Sequence, residues 1–384
     1  MASRHFPVSL LSICKQMLLL GGRHWWLSFL LWIILVGPAQ AATQLRVAIK
    51  EGVSQVQVGS STKAIVRDSA GQAVGELEAM NAFKVQGGGS GVAIGQWRSQ
   101  SLWIEPSSDG FVWIGDRWYR GRTQLVAAGN GLTAVNHVSL EQYLYSVLGS
   151  EMSATWPQEA LKAQAVAARS YALYKRATSG NNVYDVGDTT TWQVYKGLES
   201  EAQGTHQAVD ATAGQVLTHK GQIILAAFHS SSGGHTENVE DVWTQPLPYL
   251  RGVADYDMGA PVFEWTKSIS RSEMNRLIYG VGKVISMTPE RKTPNGRVIT
   301  MLVKGDRGSK RISGNDLRSA LSLKSTLFVV NLVGDSFQVQ GRGFGHGLGL
   351  SQWGAHNLAE QGTDYQQILG HYYQNAALAR LQEG

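Results

Sequence analysis

The sequence predicts an α+β fold, with a β-rich N-terminal segment followed by a mixed α+β domain around a central alanine-rich helix. From Leu45 to about Val126, short apolar runs alternate with polar residues and are separated by glycine turns, which is the pattern of strands. An alanine-rich helical pattern then begins at Gln158. The strand-like and helical runs beyond it show no regular βαβ alternation, so we expect no doubly wound parallel sheet.

Residues 1–41 have the pattern of a secretory signal. Twelve residues without charge, from Trp25 to Val36, follow a basic residue and lead to a glycine-proline pair and an Ala-x-Ala site that ends at Ala41. This run is short for a membrane span, which needs about 20 apolar residues. The alternative is an uncleaved anchor over residues 25–42. In either case we expect the protein to function outside the cytoplasm.

Residues 42–118 are expected to form a β-rich accessory segment that supports or orients the rest of the protein. The turn at residues 68–71 separates two apolar runs, and residues 111–119 are predicted to form a hairpin that turns at Gly115-Asp116. The glycines of residues 87–91 predict a flexible loop. This pattern favours a supporting role for the segment.

The helices that follow are predicted from their end signals. Pro157 stands where the first turn of a helix tolerates proline, so the alanine-rich helix should cover residues 158–176. Residues 351–361 form another predicted helix, ended by Gly362, and a capping box at residues 363–366 starts the next. Strands are predicted between these helices, over residues 298–303 and 327–330.

Composition and charge exclude several classes of protein. The chain has 34 Lys+Arg against 29 Asp+Glu, a net charge of +5, but three of the basic residues lie in the leader. The remaining +2 includes no basic run longer than two residues, which argues against a nucleic-acid-binding protein. Cys14 is the only cysteine and lies in the leader, so the exported part has no disulfide and no thiolate ligand or nucleophile.

Glu151 is the acidic residue with the strongest chemical signal. It ends an apolar segment just before the long helix, on a predicted turn. Burial there would raise the pKa of its carboxyl group, and a neutral carboxyl group can donate a proton. The alternative is a carboxylate stabilised by a nearby helix N-terminus. The charged stripe of the helix, with Lys162 and Arg169, is either a solvated edge or a support that positions Glu151.

A glycine ladder lies near the C-terminus. Every second residue from Gly341 to Gly349 is a glycine, which lets the backbone approach a ligand closely or permits a tightly packed turn. His346 within the ladder and Gln352 just after it favour a polar ligand groove over the packed turn.

A second polar cluster covers residues 228–237. His229 and His235 would bind zinc if Glu237 or Asp241 completed the site. Two histidines six residues apart are a weak zinc signal, however, and the pattern favours structural hydrogen bonds.

Several separated blocks of this sequence occur in the order found in one known family. They cover residues 140–152, 156–172, 185–195, 231–237, 341–355 and 371–373. The series resembles the SpoIID/LytB family of peptidoglycan-active proteins, and the resemblance covers residues 119–378, which we expect to form the catalytic domain. It implies an exported protein in the periplasm or cell wall whose partners are peptidoglycan glycan strands and a cell-wall amidase.

The SpoIID branch of the family implies an enzyme. Its members are lytic transglycosylases that cleave glycan strands stripped of stem peptides between MurNAc and GlcNAc, leaving 1,6-anhydro-MurNAc ends. The family's catalytic glutamate matches Glu151, and Lys162 and Arg169 match positions that line its cleft. One carboxyl group suffices for this reaction, because the C6 hydroxyl of the muramic acid replaces the hydrolytic water that a second carboxylate would activate.

The resemblance also implies sugar contacts from His346 and Gln352, with Tyr195 as a further candidate. Some family members hold zinc with a histidine and cysteines near the block that begins at His229. This chain has no cysteine there, so we expect no cofactor, and a zinc ion on His229 and His235 is the secondary hypothesis. Three functions stay open: a lytic transglycosylase, a non-catalytic enhancer of a wall amidase, and a metal-dependent wall hydrolase that also uses His346.

Overall fold

The structure is a computed structural model that describes residues 43–89, 91–243 and 245–381. The predicted signal, residues 1–41, lies outside the described residues. Within them, helices and strands occur together and the N-terminal segment is rich in strands, which confirms the predicted α+β class. None of the helices described has both the length and the apolar character that crossing a membrane requires.

The N-terminal part of the described chain folds into antiparallel sheets. Its strands are β1 (Gln44–Val53), β2 (Gln55–Ser60), β3 (Ala64–Arg67), β4 (Ala73–Leu77), β5 (Ala82–Gly88), β6 (Gly91–Ile94), β7 (Trp97–Ser99), β8 (Ser101–Pro106), β9 (Val112–Ile114), β10 (Arg117–Tyr119), β11 (Arg122–Ala128), β12 (Gly131–Ser139) and β13 (Val186–Gly187). One sheet has the order β13-β1-β12-β11-β8-β3-β4 and the other β10-β9-β2-β5-β6-β7. The short strand β13, which comes after the long helix, pairs parallel to β1 and so ties the two parts of the chain together.

The predicted turns of this region are partly confirmed. Strands β3 and β4 form a hairpin across residues 68–71, and Ile114 pairs with Arg117 in the β9–β10 hairpin. The prediction of a flexible loop at residues 87–91 is wrong, because β5 and β6 pair there as a hairpin. A Cβ on Gly87 would lie 2.5 Å from the backbone of Gly131, so this glycine is required for packing between strands and not for flexibility.

Helix α2 is at the centre of the helical part. The helices described are α1 (Leu140–Glu151), α2 (Gln158–Ser179), a 3-10 turn (Gly197–Ser200), α3 (Gln203–Ala211), α4 (Val239–Val242), α5 (Arg271–Leu277), α6 (Gly314–Ala320), α7 (Gln352–Glu360) and α8 (Tyr365–Tyr372). As predicted, α2 begins after Pro157, and it continues three residues past the expected end. It packs against α1, α3, α7 and α8, and its alanines, including the fully buried Ala163 and Ala167, allow this close approach on several sides.

The two closing helices follow their end signals. Helix α7 begins after Ser351, whose Oγ accepts from the Gly354 N–H, and Gly362 follows its end with φ +88°, as expected for a glycine stop. The predicted capping box is displaced by one residue. Asp364, not Thr363, is the N-cap of α8, and its carboxylate accepts from the backbone N–H of Gln367 at 2.8 Å.

Buried apolar side chains form two hydrophobic clusters. The remaining strands are β14 (Gln215–His219), β15 (Gln222–Ile223), β16 (Phe228–His229), β17 (Glu264–Ser270), β18 (Val284–Lys292), β19 (Val298–Gly305), β20 (Gly308–Ser313), β21 (Phe328–Val333), β22 (Ser336–Arg342), β23 (Leu350–Ser351) and β24 (Ala377–Arg380). The first core joins the N-terminal sheets to α1, α2, α7 and α8. The second core, between Trp265 and Val339, fills the space between the sheets β17-β22-β21 and β18-β19-β20. The sequence predicts strands at residues 298–303 and 327–330 but does not predict that they build a separate core.

Candidate active site

The carboxyl group of Glu151 lies at the C-terminal end of a helix. The sequence predicted a turn at this residue, but α1 continues through Glu151, and the backbone N–H of Met152 still bonds to the carbonyl of Leu148. The negative end of a helix dipole disfavours an anion. The position of Glu151 on α1 therefore favours the protonated form of its carboxyl group.

Two hydrogen-bond donors reach the Glu151 carboxylate. Gln352 Nε2 donates to Oε2 at 3.3 Å, and the backbone N–H of Val194 donates as well. Burial raises the pKa of Glu151, while these two bonds and the positive charge of Lys196 lower it in part. The net effect is a pKa above the ordinary value for glutamate, which suits a group that must donate a proton.

Gln352 reaches Glu151 from a segment 201 residues away in sequence. Strand β23 pairs parallel to β16, with Phe228 opposite Leu350, and the Trp353 N–H donates to the carbonyl of Ser230 at 3.0 Å. These bonds fix the first turn of α7 next to the end of α1. The structure thus brings together two of the predicted site residues.

Residues 192–196 form the other wall beside Glu151. Burial alternates along this extended segment: Gln193 and Tyr195 are buried, while Trp192, Val194 and Lys196 are partly exposed. The Tyr195 hydroxyl donates to Asn136 Oδ1 at 2.8 Å. The prediction that Tyr195 touches substrate does not fit this placement, because its ring is 2% exposed and its hydroxyl is engaged below the segment.

Sequence reasoning missed Val194 and Lys196. Backbone donors leave no signal in residue type, and a single lysine in a neutral segment has little statistical weight. The alternation from Trp192 to Tyr195 points to the wrong face, because the polar Gln193 and Tyr195 are the residues that the fold buries.

The charged stripe of α2 makes contacts other than with Glu151. Lys162 pairs with Glu159 one turn earlier in the helix. Arg169 has no exposed surface, and its guanidinium donates two hydrogen bonds to Glu141, at 2.9 and 2.6 Å, and one to the carbonyl of Gln215. A guanidinium so completely buried and occupied cannot meet a substrate, so the expected role of Arg169 in the cleft is corrected to a structural one.

The glycine ladder is a tightly packed segment, the alternative to the ligand groove that the sequence favoured. Positive φ angles occur at Gly343, Gly345, Gly347 and Gly349. A Cβ on Gly345 would lie 2.6 Å from His229 Cβ, and one on Gly343 would lie 2.7 Å from the backbone of Ser232. The glycines allow this segment to pack on the strand that carries His229, and the ladder's contribution to the site is to deliver Gln352 to Glu151.

His346 packs beside His229, at 5.3 Å between ring centroids. Its Nδ1 accepts from the Leu348 N–H at 3.0 Å, and burial lowers its pKa to about 4, so the ring is neutral. The His229 Nδ1 contacts the Leu348 carbonyl at 3.1 Å, and burial keeps the pKa of His229 well below its usual range. The backbone thus contacts the Nδ1 of each ring, while the Nε2 of His229 is buried and has no hydrogen-bond partner among the described residues.

The other proposed zinc ligands have separate partners. His235 Nδ1 contacts the Thr236 carbonyl at 2.5 Å, and Asp241 accepts from Asn238. Glu237 is buried and accepts from Thr293 at 2.7 Å. Within residues 43–381, apart from the two that are not described, no group of three or more His, Cys, Asp or Glu side chains is placed to hold a metal ion.

Aromatic side chains lie near both ends of the segments that meet at Glu151. Trp156, just before α2, and Trp353 in α7 pack against each other with centroids 4.6 Å apart. Tyr171 on α2 contacts Phe228 edge-on at 6.0 Å, and burial, with a further contribution from the charge of Glu151, raises the pKa of Tyr171 to about 12. Partly exposed rings of this kind offer flat apolar surfaces on which sugar rings stack.

Comparison with known proteins divides the chain into two matched parts. Residues 128–219 match the family described as Stage II sporulation protein, and residues 254–349 match a domain of unknown function, DUF8618. Glu151, Val194 and Lys196 lie in the first part, and the second core lies in the second.

Three relatives cover most of the described chain. An uncharacterised protein of Brachyspira hyodysenteriae is 36% identical over 279 residues, which are 70% of this chain and 73% of that protein. Stage II sporulation protein D of Bacillus subtilis is 35% identical over 271 residues, 64% of this chain and 76% of the relative. The amidase enhancer of Bacillus subtilis is 31% identical over 290 residues, 61% of this chain but 40% of the relative.

Proposed function

The chain belongs to the SpoIID/LytB family, and we propose that it is an exported lytic transglycosylase of the periplasm or cell wall. Its substrate is the peptidoglycan glycan strand without stem peptides, cleaved between MurNAc and GlcNAc to leave a 1,6-anhydro-MurNAc end. The observation that carries this proposal is Glu151, a partly buried carboxyl group with a raised pKa that is held by a side-chain amide and a backbone N–H.

Glu151 alone can move both protons of this reaction. The protonated carboxyl group donates its proton to the glycosidic oxygen as the bond from MurNAc C1 to that oxygen breaks. The C6 hydroxyl of the same MurNAc then attacks C1, and the resulting carboxylate takes the hydroxyl proton as the 1,6-anhydro bond forms. The enzyme ends the cycle protonated, as it began, and no water is consumed.

The surroundings of Glu151 serve these two roles in turn. Burial and the helix C-terminus favour the neutral acid before the first step, and the donors from Gln352 and Val194 stabilise the carboxylate that forms in it. Of the residues predicted to bind substrate, Gln352 is the one that hydrogen-bonds to Glu151, and we include it in the substrate site.

The proposed mechanism is independent of metal. The histidines of the metal-dependent alternative are held by backbone carbonyls and N–H groups, and the carboxylates near them have other partners. We therefore expect chelators to leave the activity unchanged.

The second candidate function is a non-catalytic enhancer of a cell-wall amidase. One relative bears that name, and the match to it covers the same region of this chain. In that case the cleft would bind glycan strands without cleaving them, and an amidase would be the partner. The presence of an acid with a raised pKa at the cleft favours the enzyme.

The test is mass spectrometry of denuded glycan strands after incubation with the protein and with Glu151→Gln. Wild type should release products ending in anhydro-MurNAc, and the variant should release none. Glu199→Gln is the matched control, because Glu199 is exposed and pairs only with Arg117 at 3.0 Å among the contacts described. Its products should equal those of wild type.

Other products would change the assignment. Reducing-end MurNAc would indicate a hydrolase. Strands bound but left intact by a folded wild-type protein would favour the amidase enhancer, and addition of a purified wall amidase would then test for stimulation.

A further inference from the structure

Lys196 has an ammonium group that no described carboxylate neutralises. Ion pairs occur at Glu199 and Glu201, the nearest acids in sequence, but each is made with an arginine, at 3.0 and 2.8 Å. The backbone N–H of Lys196 donates to Ser146 Oγ at 3.2 Å. That bond fixes the backbone of Lys196 and leaves its side chain available.

This free cation belongs to the wall beside Glu151. In the extended segment 192–196 every second residue is partly exposed, and Lys196 follows Val194 on that exposed face. The Val194 N–H bonds to the Glu151 carboxylate, and the charge of Lys196 is near enough to lower the pKa of Glu151.

The two lysines of α2 have interaction partners within the protein. Lys162 pairs with Glu159, and its ammonium group lies 5.0 Å from the ring centroid of Tyr365. The ammonium group of Lys175 lies over two aromatic rings, at 5.6 and 5.9 Å from their centroids. Both positive charges are already stabilised within the protein. Lys196 differs from them in this respect.

A free positive charge beside Glu151 opposes the first step of the proposed reaction, because it favours the carboxylate over the proton donor. The opposition disappears once an anion neutralises Lys196. A glycan strand offers one such anion on the sugar that is cleaved: the lactyl carboxylate at C3 of MurNAc. This group is free when the stem peptide has been removed and is an uncharged amide when the peptide is attached.

We propose that Lys196 binds the free lactyl carboxylate of MurNAc and thereby makes the site specific for strands without stem peptides. This inference rests on the proposed lytic transglycosylase function and identifies the group that selects its substrate. Binding has two consequences: it adds a charge-assisted hydrogen bond to the correct substrate, and it removes an influence that lowers the pKa of Glu151. A strand with amidated lactyl groups provides neither.

The test compares two forms of one substrate. Denuded strands are used as they are and after conversion of their lactyl carboxylates to methylamides, which removes the charge without adding a peptide. Wild type should cleave the carboxylate form with kcat/KM at least about 10-fold higher, the discrimination expected of one charge-assisted contact. Lys196→Met should lose this factor on the carboxylate form and lose no activity on the methylamide form, where the charge of Lys196 only opposes protonation of Glu151.

Two control variants accompany Lys196→Met. Lys196→Arg keeps the charge and should retain most of the preference. Lys84→Met makes the same change at an exposed lysine of β5 in the N-terminal sheet and should behave as wild type on both substrates. Thermal unfolding of each variant establishes that it is folded.

An equal fall of kcat/KM on both substrates would overturn the inference, since it would mean that Lys196 acts on Glu151 or on the fold and not on the lactyl group. Equal cleavage of both forms by wild type would overturn it too. If wild type cleaves neither form, the proposed activity fails, and the inference is then decided by strand binding. A stronger affinity of wild type for the carboxylate form, lost in Lys196→Met, would support it, and equal affinities would refute it.

Discussion

The two hydrophobic cores contribute to the site in different ways. The first core contains the alanine-rich helix α2, and α1 packs on it and ends in Glu151. The second core is made of branched aliphatic residues, methionines and the aromatic residues Trp265, Phe328 and Phe337. Its outer strand β21 leaves Val329, Leu332 and Val333 exposed by 40 to 60%. No residue of the second core contacts Glu151 among the contacts described. The position of Glu151 therefore depends on the first core.

The second core reaches the site through a connection. The chain leaves it at the end of β22, runs through the glycine ladder and reaches Gln352. Arg297, with 1% exposure, fastens this connection to the segment before it: its Nη1 donates to the Gly345 carbonyl at 3.4 Å and its Nη2 to the Ser232 carbonyl at 2.6 Å. Its Nε lies 3.7 Å from Glu237 Oε1. The first core therefore carries both Glu151 and, through α7, Gln352, while the second core supplies the chain that runs into the ladder before Gln352.

The largest expected effect is the loss of enzymatic activity when Glu151, which the first core positions, is replaced. Glu151→Gln should reduce kcat/KM on denuded strands by roughly 10³-fold or more, the range found for loss of a general acid. Its fold should be unharmed. A variant that kept a tenth of the activity would contradict the assignment of Glu151 as the proton donor.

The same variant has a stability signature with a defined sign. Because the pKa of Glu151 is raised in the folded protein, its carboxyl group favours folding at low pH and loses that contribution as the pH rises through the folded pKa. Glutamine does not ionise, so Glu151→Gln should have a higher Tm than wild type at pH 8 and no advantage near pH 4. A lower Tm at pH 8 would contradict the raised pKa.

The second prediction concerns Arg297, whose buried guanidinium links the glycine ladder to the segment around Ser232 and Glu237. Arg297→Met leaves the buried Glu237 without its cation, and removal of one partner of a buried pair costs about 3–5 kcal/mol. Chemical unfolding should show this loss, and hydrogen exchange should rise first in the ladder and not in α2. Arg311→Met is the matched control, because that exposed arginine pairs with Glu290 at the surface, where solvent screens the pair, and its loss should change stability little. Equal losses would show that Arg297 does not fasten the two regions.

The third prediction tests the ladder itself. Gly345→Ala places a Cβ 2.6 Å from His229 Cβ at φ +123°, and the combined strain should cost about 2–3 kcal/mol of unfolding free energy. Gly334→Ala also has a positive φ, +60°, but a Cβ there meets open space, so about 1 kcal/mol is expected. If both variants lost the same free energy, the close packing of the ladder on β16 would be refuted.

The features that were predictable from sequence are those that depend on residues close together in the chain. Helix α2 and Glu151 were predictable because proline, alanine spacing and apolar runs act over a few residues. Gln352 was predictable from the resemblance and not from local rules. Its bond to Glu151 spans 201 residues and depends on the packing of β16 and β23.

The failures have physical causes as well. Arg169 was expected in the cleft because it matches a family position that lines it, and Tyr195 because it is a polar group near the acid. Both are buried with internal partners that only tertiary structure supplies. The ladder suggested an open groove because glycine spacing alone does not distinguish a ligand from another protein segment as the neighbour. A separate second core was not predicted, because the apolar alternation of its strands is common to all sheets and does not show which core a strand belongs to.

The smallest effect is expected from replacement of Gln352, the residue that follows the glycine ladder and bonds to Glu151. The bond from Gln352 Nε2 stabilises the charged form of Glu151 and so lowers its pKa. Gln352→Leu removes that bond, the pKa of Glu151 rises further, and the alkaline limb of the kcat/KM profile should move to higher pH. The loss at the optimum should stay below about 10-fold, the value of one hydrogen bond. Gln366→Leu, an exposed glutamine on α8, should leave the profile in place. A limb that stayed in place would mean that the bond from Gln352 does not stabilise the carboxylate of Glu151, and Gln352 would then have no part in adjusting the acid.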